Sequence, residues 1–127
     1  MPAADFFLGL YQTALEPGEL VTSVSFRIAR SSAYVKYKQP ASRFALVGVF
    51  VSRGSMGVRV AVTGAKSSVF RAAQIERALE ASFTPDAAKA AKLPVDDINA
   101  DIHASAEYRA AMISVMAARA VAACLAR

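Results

Sequence analysis

The chain has 127 residues, which gives room for one domain and not for two ordinary ones. Apolar residues make up 55% and charged residues 20%, a balance that buries a core and excludes a disordered tail. The net charge of +5 comes largely from cations scattered singly, among them Arg27, Arg30, Lys36, Lys38, Arg43, Arg53 and Arg59. No basic run is interleaved with aromatics as a nucleic-acid groove requires, and a basic surface that meets another subunit explains the charge equally well.

Cys124 is the sole cysteine, so neither an internal disulfide nor a zinc site built from thiolates can form. Asp5 interrupts the N-terminus before any signal-peptide layout develops, and charges break up the alanine-rich end before a membrane span is reached. The expectation is a cytoplasmic protein without membrane contact.

Residues 1–18 carry Phe6, Phe7, Leu8, Leu10 and Tyr11 and end in the turn Glu16-Pro17-Gly18. So many large apolar residues need a cover. Met1-Pro2 suggests a truncated start, with that cover on a preceding domain. From Glu19 to Ile28, Val24, Phe26 and Ile28 alternate with Ser23, Ser25 and Arg27, a period of two that predicts a half-buried strand. Arg30-Ser31-Ser32 reads as a turn. A second strand runs over Ala33–Gln39 and stops at Pro40. Phe44–Val51 is continuously apolar and β-branched, which predicts a central strand covered on both faces. Arg53–Gly57 reads as a hairpin connection, with Val58, Val60 and Val62 facing one way in the strand that follows.

Alanine concentrates after Arg71, and helices take over there. Ala72, Ile75 and Leu79 form a stripe within a helix over Arg71–Ser82. Thr84-Pro85-Asp86 supplies a capping hydroxyl, a proline for the first turn and an acid at the positive end, for a helix to about Leu93. Asp96–His103 is a polar connection. Ser105 caps a long terminal helix, with Glu107 in its first turn and Tyr108, Met112, Val115 and Ala122 on one side. Strands first and helices after predict an α+β domain, with an antiparallel sheet of three to four strands and about three helices on one face.

No catalytic constellation can be assembled from these residues. His103 is the only histidine, with Asp101 its nearest acid, and reads as a surface or capping residue. Cys124 reads as a buried structural cysteine. Asp96, Asp97 and Asp101 lack the ligand spacing of a calcium loop. The glycines form neither a dinucleotide fingerprint nor a phosphate loop. One strand stands apart, because Tyr34, Lys36 and Lys38 share a face. Two lysines there read either as a soluble sheet edge or as a cation facing an electron-rich ligand such as a reduced flavin.

The stretch Phe6–Val24 closely resembles a segment of the flavoprotein (medium) subunits of molybdenum hydroxylases, the carbon monoxide and xanthine dehydrogenase family. The resemblance continues through Tyr37–Val49, Val58–Ala65 and His103–Arg109, in the family's order and over almost the whole chain. It implies that residues 1–18 close a preceding FAD-binding subdomain and that 19–127 form the C-terminal domain of that subunit. It further implies one wall of an FAD pocket, with Leu20 and Val21 as apolar contacts and Lys38 beside the flavin ring. The glycine-rich turns that hold the FAD phosphates belong to the N-terminal portion of the family's subunit and are absent here. Partners implied are that N-terminal portion, an iron–sulfur small subunit and a molybdopterin large subunit. The chain would be inactive alone and would bind no FAD by itself. The strand after the lysine is acidic in the xanthine dehydrogenase branch, whereas Arg43-Phe44-Ala45-Leu46 stands here. NAD is therefore not carried over as acceptor, and the carbon monoxide dehydrogenase branch is the nearer likeness. The competing expectation is a free-standing interaction module without a cofactor, and the cover on Phe6, Phe7 and Tyr11 separates the two.

Overall fold

A computed structural model describes residues 1–126. The fold is α+β, as the order of strands and helices predicts. A short 3₁₀ turn at Ala3–Asp5 leads into a small hairpin of β1 (Phe7–Gly9) and β2 (Gln12–Thr13). The main sheet is antiparallel in the order β3 (Ser31–Lys38), β4 (Ala45–Gly54), β5 (Gly57–Thr63) and β6 (Phe70–Arg71). Three helices follow: α1 (Ala73–Ala81), α2 (Pro85–Ala90) and α3 (Ala106–Leu125).

Alternation along the strands decides which face is dry. Ala33, Val47, Val49, Val51, Val58, Val60 and Val62 are buried beneath the helices, with Ile75 and Leu79 of α1 and Ile113, Met116 and Val121 of α3. The predicted α1 stripe of Ala72, Ile75 and Leu79 is buried throughout. The other face is open to solvent, so β4 is not covered on both sides: Phe50 alternates out of the core and is exposed.

Two predicted features of the first third do not form. The alternating residues Glu19–Ile28 make no strand, because no sheet edge pairs with them. An extended segment without a ladder partner leaves its amides to water. It is fastened at its ends: the Glu19 amide donates to the Glu16 carbonyl at 3.0 Å, and where the stretch joins β3 the Arg30 amide donates to the Arg53 carbonyl at 2.8 Å. Ser31 and Ser32, predicted to turn, instead open β3 opposite Arg53 and Ser52.

The helix ends follow their caps. The Thr84 hydroxyl accepts from the Ala87 amide and the Ser105 hydroxyl from the Tyr108 amide. Helix α2 ends at Ala90 rather than near Leu93. Helix α3 is turned relative to expectation. Tyr108 and Ala122 are exposed, and the buried stripe is Arg109, Ile113, Met116, Ala117, Ala120, Val121 and Cys124. The side carrying the small residues faces the sheet because alanine lets the helix backbone approach closely. By length and apolar content α3 could cross a bilayer, contrary to the expectation that charges interrupt this end first; half of it is buried within this domain.

Candidate functional site

Lys38 is the last residue of β3 and lies on the open face of the sheet, exposed, with Lys36 and Tyr34 on the same face. The face is flat for a local reason. Gly48 lies opposite Lys36, and a Cβ there would come within 2.3 Å of the Tyr34 hydroxyl oxygen. Without it the Tyr34 ring lies down across β4, and its hydroxyl reaches Thr63 Oγ1 on β5 at 3.4 Å. Phe50 is the cross-strand partner of Tyr34 and completes an aromatic, hydroxyl-bearing platform beside two lysines.

Leu20 and Val21 lie in the irregular stretch before β3 and are exposed, Leu20 by 84%. Among the described residues no hydrogen bond joins either of them to Lys38. Around them the exposure continues: Tyr11 is 99%, Phe26 87% and Ile28 98% exposed. Phe6 and Phe7 meet edge to face at 5.1 Å, yet Phe7 remains open to solvent.

The other singled-out residues have structural surroundings. The His103 amide donates to Asp101 Oδ1 at 2.9 Å while its side chain is exposed. Cys124 is buried, its thiol 3.9 Å from the Val51 carbonyl. Asp97 lies 3.8 Å from Lys66. Among the described residues no group of histidine, cysteine or acidic side chains could hold a metal ion.

Sequence reasoning missed the contacts of four charged residues, Arg109, Glu76, Glu80 and Arg71. Arg109 is 3% exposed and donates to the Leu46 carbonyl at 2.9 Å, the Gly64 carbonyl at 3.1 Å and Asp101 Oδ2 at 2.6 Å. The amides of His103 and Ala104 with this guanidinium hold the Asp101 carboxyl below its ordinary value, the His103 amide most of all. Arg109 stands four residues before Ile113 and eight before Ala117, and that spacing places it on the core stripe. On α1, Glu76 and Glu80 accept from the Val60 and Val58 amides of β5, which the two-residue β6 leaves uncovered. Arg71 holds Glu76 through Nε at 2.8 Å.

No family model matches the chain. Over its whole length it is 31% identical to the carbon monoxide dehydrogenase medium chain of Hydrogenophaga pseudoflava. The chain matches the C-terminal half of that medium chain. It spans about half the length of the curated relative, 48% of it. The fold agrees with solved structures of this type. Carbon monoxide dehydrogenase from H. pseudoflava superposes with a TM-score of 0.71 at 30% identity, over 98% of this chain and 48% of that one. The reconstituted enzyme from Oligotropha carboxidovorans gives 0.76 at 26% identity, over 97% and 47%. Quinoline 2-oxidoreductase from Pseudomonas putida 86 shares the fold, with a TM-score of 0.72 at 22% identity over 94% and 46%.

Proposed function

We propose that this chain acts as the C-terminal part of a medium subunit, supplying one wall of an FAD pocket in a molybdenum-containing oxidoreductase. The observation that carries the reading is the uncovered leading stretch: Leu20, Phe26 and Ile28 are apolar, lie within nine residues of one another and are almost fully exposed. A preceding FAD-binding half of the same subunit, for which residues 1–18 form the closing segment, is the cover that such a surface calls for.

The residues fit one side of a flavin and no more. Lys38 offers an exposed ammonium on an open face, and Leu20 and Val21 offer apolar contact. No glycine-rich turn is present to cradle a pyrophosphate, so the phosphates are held elsewhere. Bound FAD would supply the two-electron chemistry. Lys38 would stabilise negative charge on the pyrimidine end of the ring, and the apolar pair would keep water from that edge. The small iron–sulfur and large molybdopterin subunits are the partners that deliver electrons in this reading, and the assembly is placed in the cytoplasm.

FAD titration followed by flavin fluorescence tests this, with the chain alone and with the N-terminal half supplied separately. Binding only when both halves are present is the expected result, and Lys38→Ala then lowers the flavin's reduction potential. Tight binding by this chain alone, or no binding in either mixture, overturns the reading.

A further inference from the structure

Arg109 meets the sheet where the β3–β4 ladder loses its regular register. Tyr37 pairs with Val47, whereas the next residue, Lys38, pairs with Ala45, so Leu46 has no partner on β3. Such a bulge leaves backbone groups outside the ladder and sharpens the local twist. Arg109 Nη1 donates to the Leu46 carbonyl and also to the carbonyl of Gly64, just past β5, while Nη2 pairs with Asp101. From the other side the chain closes tightly on the bulge. Gly64 has φ +78°, and a Cβ there would lie 2.3 Å from the Ala45 carbonyl oxygen. One side chain of α3 therefore ties together the bulge, the exit from β5 and the loop before α3.

An arginine is an expensive occupant for this position. It is 3% exposed and its Nε has no partner, whereas an unbranched apolar side chain would fill the stem's space without burying charge. What the guanidinium adds is a rigid fork that serves two carbonyls and a carboxylate at once, which a single ammonium cannot match. The residue that depends on this is Lys38. Beyond the bulge the two strands are joined by the Lys38–Ala45 pair and by the Gln39 amide donating to the Phe44 carbonyl at 2.8 Å. Were Leu46 to straighten, Lys38 would face Leu46 and the connection 39–44 would change its length.

We propose that Arg109 is a positioning residue that holds the bulge at Leu46 and so fixes the register in which Lys38 is presented on the open face of the sheet. Its consequence for the flavin rests on the FAD-wall reading; the register can be measured without any flavin. In this chain, Arg109→Met is expected to replace the Lys38–Ala45 cross-strand nuclear Overhauser contact by a Lys38–Leu46 contact. Exchange of the Gln39 amide is expected to become roughly tenfold faster, and Arg109→Lys to restore the Lys38–Ala45 contact in part. An unchanged Lys38–Ala45 contact in Arg109→Met overturns the proposal. If that variant does not fold, Asp101→Asn decides. It removes the half-exposed anchor of the same guanidinium, and it should speed Gln39 exchange by a smaller factor; unchanged exchange overturns the proposal.

With FAD bound to the two halves together, Arg109→Met should lower the flavin potential in the direction of Lys38→Ala and add nothing to it in the double variant. A potential moved by Lys38→Ala but not by Arg109→Met overturns the positioning role. A potential moved by neither removes the FAD wall, and the register measurement still decides what Arg109 holds.

Discussion

The sheet with its helices and the thirty residues that lead into it are built from similarly apolar sequence, yet they end in opposite states. Val49, Val51, Val60 and Val62 have no exposed surface, while Leu20, Phe26 and Ile28 have almost nothing but exposed surface. Period-two alternation is present in both. What differs is the partner: β4 has β3 on one side and β5 on the other, with α3 across its face, and the stretch Glu19–Ile28 has no strand beside it. Hydrophobic pattern specifies which face wants to be dry, and only a neighbour can make it so. The first region has its apolar face covered by its own helices, and the second has its apolar residues open to solvent.

If that contrast is right, truncation in the first region is severe. Ile113→Ala removes a fully buried side chain of α3, and chemical denaturation should show a loss of about 2–5 kcal/mol. A smaller loss is expected at the edge of β5. Glu76 is buried and accepts from the Val60 amide and from Arg71, so Glu76→Ala strands a buried donor and should cost about 1–3 kcal/mol. Glu76→Gln should cost less, since its carbonyl oxygen still accepts from Val60. Equal losses in the two glutamate variants would show that charge rather than the amide contact is what matters there.

The α+β class, a hairpin connection within Arg53–Gly57 (narrowed by the strands to Ser55-Met56), the stripe on α1 and both capped helix starts were legible in the sequence, because the local features rest on residues within one or two turns of one another. Long-range pairing was not. The failed strand at Glu19–Ile28 and the turned face of α3 both depend on what lies opposite. An alternating stripe of Tyr108, Met112 and Val115 was as apolar as the one that the sheet selected. Arg109 carries a signal in its spacing, a cation on the same helical repeat as Ile113 and Ala117. Of the candidate site, the shared face of Tyr34, Lys36 and Lys38 follows from alternation alone, whereas the bulge that ends it follows from Arg109, more than sixty residues away.

Acid provides a gentler probe of the same clamp. The Asp101 carboxyl sits below its ordinary value of 3.8, chiefly through the His103 amide and then through Arg109. A group whose folded value is depressed contributes stability that is fully present above its ordinary value and is lost as pH falls through the folded one. Stability should therefore be flat in this contribution at neutral pH and decline below about 3.8, and Asp101→Asn should flatten that part of the curve. Titration by circular dichroism in the two proteins measures the difference. An identical acid limb in both would place the acid sensitivity in other carboxylates.

The smallest effect on stability is expected where the apolar surface is largest. Phe26→Ser and Ile28→Ser alter side chains that touch almost nothing here, so each should change unfolding free energy by no more than about 0.5 kcal/mol. The same substitutions should weaken association with the N-terminal half, by roughly tenfold or more for the pair if both become buried there. Titration calorimetry of the two halves reads that directly. A loss of stability in the chain alone would mean that the leading stretch folds back in solution, and the two regions would then be one. Silence in both measurements would mean that the apolar residues are covered by neither, and the cover would have to be sought in another subunit. A chain that is unaffected alone but impaired in pairing would show that alternation in Glu19–Ile28 is a pattern written for a surface outside this domain.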